Sequence, residues 1–147
     1  MNTKSIYYTA LTVISAVGTT IAQIFGGWDT ALQTLVIFMA VDYITGILCA
    51  IIWKRSPKTA DGAFESKASI KGLFRKAAIL FVVLIAYKLD ILAGTTAVRT
   101  AVIMFFIAND GFSIIENLGV MGVPMPKVIK NAFELLKEKG EFEKNGK

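Results

Sequence analysis

The stretch "TALQTLVIFMAVDYITGILCAIIW", Thr30 to Trp53, carries one formal charge in twenty-four residues. Trp28 and Trp53 flank it about 37 Å apart if the chain is helical, which suits two membrane interfaces where an indole keeps one edge wet. The single charge, Asp42, lies about 16 Å in from Trp53, at mid-depth. An acid at the centre of a spanning helix costs roughly 2.5–3.5 kcal/mol on insertion scales, so it calls for a partner or a wet surface. This stretch makes the chain an all-α integral membrane protein, and the remaining sequence is read around it.

Composition agrees. In 147 residues there is no histidine, 54% are hydrophobic and the mean hydropathy is positive. The one cysteine, Cys49, lies inside the apolar run, so an intramolecular disulfide is excluded. Without histidine there is no Ser-His or Cys-His pair and no zinc site of the usual kind, so enzymatic chemistry, a metal and a cofactor are not expected. A net charge of +5 invites a nucleic-acid reading. In a membrane protein the better reading is cytoplasmic Lys and Arg touching anionic lipid.

Upstream, "IYYTALTVISAVGTTIAQIF", residues 6–25, has no formal charge and is about 30 Å long as helix, one hydrocarbon thickness. It reads as a first span. Lys4 ahead of it and Thr20 to Ala22 within it also allow a signal peptide, but the length and the Thr and Tyr content favour a span. Gly26, Gly27 and Asp29 separate it from the second, 30–53. Residues 54–76 hold seven basic residues against two acids, with Ser-Pro and Asp-Gly turns, and read as a basic cytoplasmic loop. A third span, 77–95, is weaker because Lys88 and Asp90 interrupt it, and a re-entrant segment is its alternative. A fourth, 100–118, ends in an exit turn at Gly122, Pro124 and Pro126.

Three to four spanning helices therefore precede a C-terminal tail, 126–139. There Val128, Ile129, Ala132, Phe133 and Leu136 share one face, opposite Lys127, Lys130, Glu134, Lys137 and Glu138, which predicts a cytoplasmic amphipathic helix. With four spans, both termini and fourteen of the sixteen basic residues fall on the cytoplasmic side. Only Lys88 and Arg99 lie on or towards the other.

The polar residues inside the spans are the candidate site. Asp110 lies about 15 Å in from Thr100, near mid-depth like Asp42. Lys88, about 17 Å from Ala77, is too deep to snorkel comfortably and is the expected partner of one of the two acids. On the fourth helix, at 100° per residue, Asn109, Asp110, Ser113, Glu116 and Asn117 fall within an arc of about 120°. On the second, Asp42 shares a face with Thr45, Gly46 and Cys49, small residues that admit a neighbouring helix. The first carries a milder arc through Thr9, Thr12, Ser15, Thr19, Thr20 and Gln23. Such arcs serve either as hydrogen-bonding glue between helices or as walls that meet water once copies assemble.

Four blocks also resemble, in order, the bacteriophage holin family that contains the toxin-secretion holins of clostridia. They are "VDYITGILCAI" (41–51), "SKASIKGLFRKAAIL" (66–80), "LDIL" (89–92) and "FFIANDGFSIIENLGVMGVPMPKVIKNAFELL" (105–136). The resemblance covers roughly residues 27–137, and four separated blocks agreeing in type and order make it fairly specific. Asp110 stands where the family more often carries glutamate, and the first span is only loosely patterned.

The resemblance implies a single holin domain, 1–147, in the bacterial cytoplasmic membrane. Such a protein assembles with itself in membrane lipid into lesions that release endolysin, its functional partner, or toxin, and that lyse the host. The reading of the basic charge as lipid-facing leaves no nucleic-acid partner expected. The rival function is a small four-span proton-coupled exporter with Asp42 as its embedded site.

Overall fold

The computed structural model describes residues 2–55 and 58–142. Among them there are helices and turns and no strand. The helices are α1 (Thr3–Ile24), α2 (Thr30–Leu48), α3 (Ser66–Ala93), α4 (Ala97–Val120) and α5 (Lys127–Phe142). A π-helical turn, Cys49–Trp53, continues α2 without a break. Among the described residues three helices are long and apolar enough to cross a membrane: α1, α2 with its π turn, and α4.

Local chemistry sets the ends. Asp29 caps α2 by accepting from the Leu32 amide at 2.9 Å. At the end of α3, Gly94 takes the left-handed conformation while the Thr95 amide bonds the Asp90 carbonyl. After α4, Gly122 sits at φ +80° and the Val123 amide reaches back to the Leu118 carbonyl, so the expected exit turn is a glycine C-cap followed by prolines. α3 begins at Ser66, ten residues before the end of the segment read as loop, so among the described residues only 54–55 and 58–65 are non-helical there. Ile70, Leu73 and Phe74 already repeat at helical spacing in that segment, and Ala77 continues the repeat beyond it.

α2, α3 and α4 form an up-down-up bundle. α2 and α4 are parallel, with Asp29 touching Arg99 at one end and Thr45 touching Asn117 at the other. α3 is antiparallel to both, since Asp90 meets the Arg99 amide while Lys76 meets Asp42 and Asp110. Leu32, Leu35 and Met39 of α2, Ile79 and Val83 of α3, and Ile103 and Ile107 of α4 fill the interior. In lipid this packing is held by dispersion and close fit, because the tails are as apolar as the side chains.

Two helices depart from the simple bundle. α5 folds back antiparallel on α4, with the Phe133 ring over Gly111 and Gly140 against the Ala101 carbonyl and Phe105. The Cβ of an alanine at either glycine would meet those atoms at 2.8–2.9 Å, so close approach depends on hydrogen side chains there. Phe133 also packs edge-on to Phe38 and Phe112. The tail is thus seated on the bundle. α1, by contrast, has no buried residue. A gap of about 740 Å³, bordered by Gly18, Ala22, Leu32, Val36 and Leu80, separates its second half from α2 and α3.

Candidate functional site

Side chains from α2, α3 and α4 converge on a buried ionic cluster. Lys76 bridges two carboxylates, its Nζ lying 2.7 Å from Asp42 Oδ2 and 3.3 Å from Asp110 Oδ1. Lys58, from the loop after the π turn, approaches Asp42 Oδ2 at 3.9 Å. On the other side Asn117 Nδ2 donates to Thr45 Oγ1 at 2.9 Å and lies 3.4 Å from Asp42 Oδ1. Thr45 Oγ1 donates to the Asp42 carbonyl, and the Cys49 thiol to the Asn117 carbonyl at 3.3 Å. Asp42, Asp110 and Asn117 are at most 4% exposed. Gly46 lies alongside, where a methyl would sit in ordinary contact with Lys58 and Asn117.

The arrangement is underpaired. Asp110 Oδ2 is buried and has no hydrogen-bond partner among the described residues. A buried acceptor without a donor costs roughly 1–3 kcal/mol, more when charged. Both carboxylates depend on the half-buried Lys76, with Lys58 adding a longer contact to Asp42, so the oxygen of Asp110 that has no donor marks a place where the fold carries electrostatic cost. No group of side chains able to hold a metal is present among the described residues.

The expected lysine is corrected. Lys88 is exposed and lies over the Tyr87 ring at 5.7 Å, away from both acids, which pair with Lys76 instead. The physical reason is the early start of α3. Once the helix begins at Ser66, Lys76 lies well inside it, and a flexible four-carbon stem carries its ammonium to the acids. The signal was the helical spacing of Ile70, Leu73, Phe74 and Ala77 around it.

The arc on α4 exists, and the bundle surface divides it. Asp110 and Asn117 face the cluster, Ser113 is half-buried at the edge, and Asn109 and Glu116 are exposed. The arc on α1 is satisfied within its own helix: Thr12, Thr19 and Thr20 donate to the carbonyls of Tyr8, Ser15 and Ala16. Hydroxyls bonded this way need neither water nor a partner helix.

A second cluster lies at the far end of the bundle. Arg99 donates to Asp29 through both terminal nitrogens, at 2.7 and 3.2 Å, and to the carbonyls of Phe25 and Gly27. The hydrogen-bonded Arg99 guanidinium holds the Asp29 carboxyl below its ordinary range, against the opposing effect of desolvation. Asp90 accepts from the Thr95 hydroxyl and from the Val98 and Arg99 amides, so α3 supplies the anion that caps α4. Sequence alone marks Asp29 and Asp90 as breaks between spans and Arg99 as a basic residue towards the non-cytoplasmic side, with nothing to join the three. Their proximity depends on the hairpin between α3 and α4.

Comparison with known proteins adds to this geometry. The model of the bacteriophage holin family matches residues 19–138. The chain belongs to that family. It is 32% identical over 106 residues to the protein named "Probable holin" of Bacillus phage phi105, covering 71% of this chain and 73% of the relative. It is 38% identical over 128 residues to an uncharacterized 14.9 kDa protein encoded 3′ of nagH in Clostridium perfringens, covering 86% and 91%. The uncharacterized protein Lin0175 of Listeria innocua is 37% identical over 133 residues, covering 88% and 89%. No solved structure gives a significant match. A general holin role and a membrane setting follow for the chain, in a family of non-enzymatic membrane proteins.

Proposed function

We propose that copies of this chain gather in the bacterial cytoplasmic membrane and assemble into lesions that release an endolysin or a toxin, ending in lysis of the host. The supporting observation is a bundle interior closed by side chains, with Leu35, Val83 and Ile103 fully buried and the ionic cluster filling the same axis. Nothing the size of a folded enzyme passes through one such bundle, so passage belongs between copies. The N-terminus, the basic loop and the exit turn lie on the cytoplasmic side, following the distribution of Lys and Arg.

The underpaired cluster gives assembly a trigger. While copies are dispersed, Lys76 holds Asp42 and Asp110 together inside the bundle. At high density, an arrangement that gives Asp110 Oδ2 a donor or water is favoured, because it relieves a buried acceptor. A charge crossing the full membrane field is worth about 2.3 kcal/mol per 100 mV, so collapse of the potential biases the same switch. An exporter built on Asp42 fits less well, since that carboxylate is held by Lys76 and is not open to a cargo.

The test is expression together with an endolysin lacking its own export signal. Abrupt clearing of the culture is expected. Drug resistance without lysis would instead support the exporter.

A further inference from the structure

We propose that α5 forms the water-facing wall of the assembled lesion, standing within the thickness of the membrane beside α4; this rests on the lesion reading above. The position comes from the packing. Phe133 covers Gly111 and Gly140 abuts Ala101, so α5 runs beside residues 101–111 of α4, which open with the apolar run Ala101 to Ala108. Its far end reaches the start of that helix, where Lys139 borders the same cleft as Thr96 and Ala97.

α5 has three faces where a helix lying on a membrane surface needs two. The seat on α4 is Phe133, Leu136 and Gly140, the residues of the helix that are half-buried. At 100° per residue, Lys130, Glu134, Lys137, Glu138 and Glu141 fall together on a second, fully exposed arc of about 100°. Within it Lys130 precedes Glu134 by four residues and Lys137 precedes Glu141 by four, a spacing that lets opposite charges meet. Val128, Ala132 and Leu135 make a third, apolar face, with Val128 and Leu135 70% and 57% exposed, and Lys139 closes it at the end of the helix that reaches the start of α4, where its stem carries the ammonium towards the interface.

A row of formal charges at the depth of α4 is not tolerated by acyl chains. Lipid therefore suits the flank of Val128 and Leu135, and the charged arc requires water. A single copy surrounded by lipid supplies none along its side. A ring of copies does, because their charged arcs point into a shared lumen while the apolar flanks meet lipid or the next copy. The tail that reads from sequence as a surface helix thus provides the hydrated wall, and Asp110 and Asn117 stay with the inner cluster.

The experiment uses the full chain in phosphatidylethanolamine/phosphatidylglycerol vesicles loaded with a dye. Glu134→Cys and Leu135→Cys are each labelled with an environment-sensitive fluorophore, the wild-type chain with its buried Cys49 serving as the labelling control. In leaking vesicles, iodide should quench position 134 several-fold more than position 135. A nitroxide deep on the acyl chain should quench position 135 more than one near the headgroup. Leaking vesicles in which position 135 is quenched best from headgroup depth, or not from lipid at all, overturn the placement of α5 alone. Vesicles that never leak overturn the lesion reading itself. Glu138→Cys and Val128→Cys supply a second pair if either first variant fails to insert.

Discussion

Arg99 and Lys76 hold the two ends of the same bundle by opposite electrostatic arrangements. Around Arg99 supply matches demand: a planar guanidinium meets one carboxylate through two nitrogens and two backbone carbonyls besides, while Asp90 is filled by a hydroxyl and two amides. Around Lys76 demand exceeds supply: one ammonium bridges two buried carboxylates, Lys58 reaches Asp42 only from 3.9 Å, and one oxygen of Asp110 is left over. The side-chain chemistry explains the division. Arginine's fixed fork suits a permanent pin, whereas a lysine's point charge on a flexible stem can let go of one partner for another. One end is built to stay, and the other to change.

Breaking the inner end should have the largest effect. Lys76→Met leaves Asp42 and Asp110 facing each other in the interior, and removing one partner of a buried ionic group costs about 3–5 kcal/mol. SDS-titrated or thermal unfolding in detergent measures this. A loss under about 1 kcal/mol would mean that water or Lys58 already neutralises the acids.

At the outer end, Gly26→Ala is expected to cost about 1–3 kcal/mol, since φ there is +90° and strained backbone carries a penalty of that order. Its new methyl would also meet the Tyr87 ring at 2.8 Å and Arg99 Nε at 2.9 Å. The same unfolding measurement reads it, with no change in lysis onset at equal folded protein. An altered onset would show that the outer pin is part of the switch.

The smallest expected effect on stability is the most informative for timing. Asp110→Asn removes one of the two charges competing for Lys76, so stability should stay within about 1 kcal/mol of wild type. The onset of lysis at equal expression should nevertheless shift, and an unchanged onset would count against the inner cluster as trigger.

Most of the helical plan was legible in the sequence. Charge-free runs of spanning length, glycines and prolines between them, and a basic segment on one side follow from what a bilayer tolerates, and a bilayer imposes the same cost wherever the run sits in the fold. The acids themselves were also visible, because Asp42 and Asp110 are conspicuous in their surroundings. Their lysine was not. Depth counted from Ala77 points to Lys88, but the helix begins eleven residues earlier, at Ser66, and a lysine's backbone position is a poor marker of where the charge on its flexible four-carbon stem lies.

Which face of a helix is inside depends on its neighbours. Helical geometry groups Asn109, Asp110, Ser113, Glu116 and Asn117 on one arc, yet α2 and α3 cover only part of it, and the boundary passes near Ser113. Likewise the amphipathic pattern of Lys127 to Lys139 establishes a helix with a charged side. Only the glycines at 111 and 140, brought opposite an aromatic ring and a backbone carbonyl, seat that helix along α4. Sequence determined the helices, their apolar lengths and the family, since these depend on local composition against lipid. Tertiary structure decided that Lys76 serves both acids, that Arg99 pins the far end and that α5 lies beside α4, since each joins residues far apart in the chain through packing no local pattern encodes.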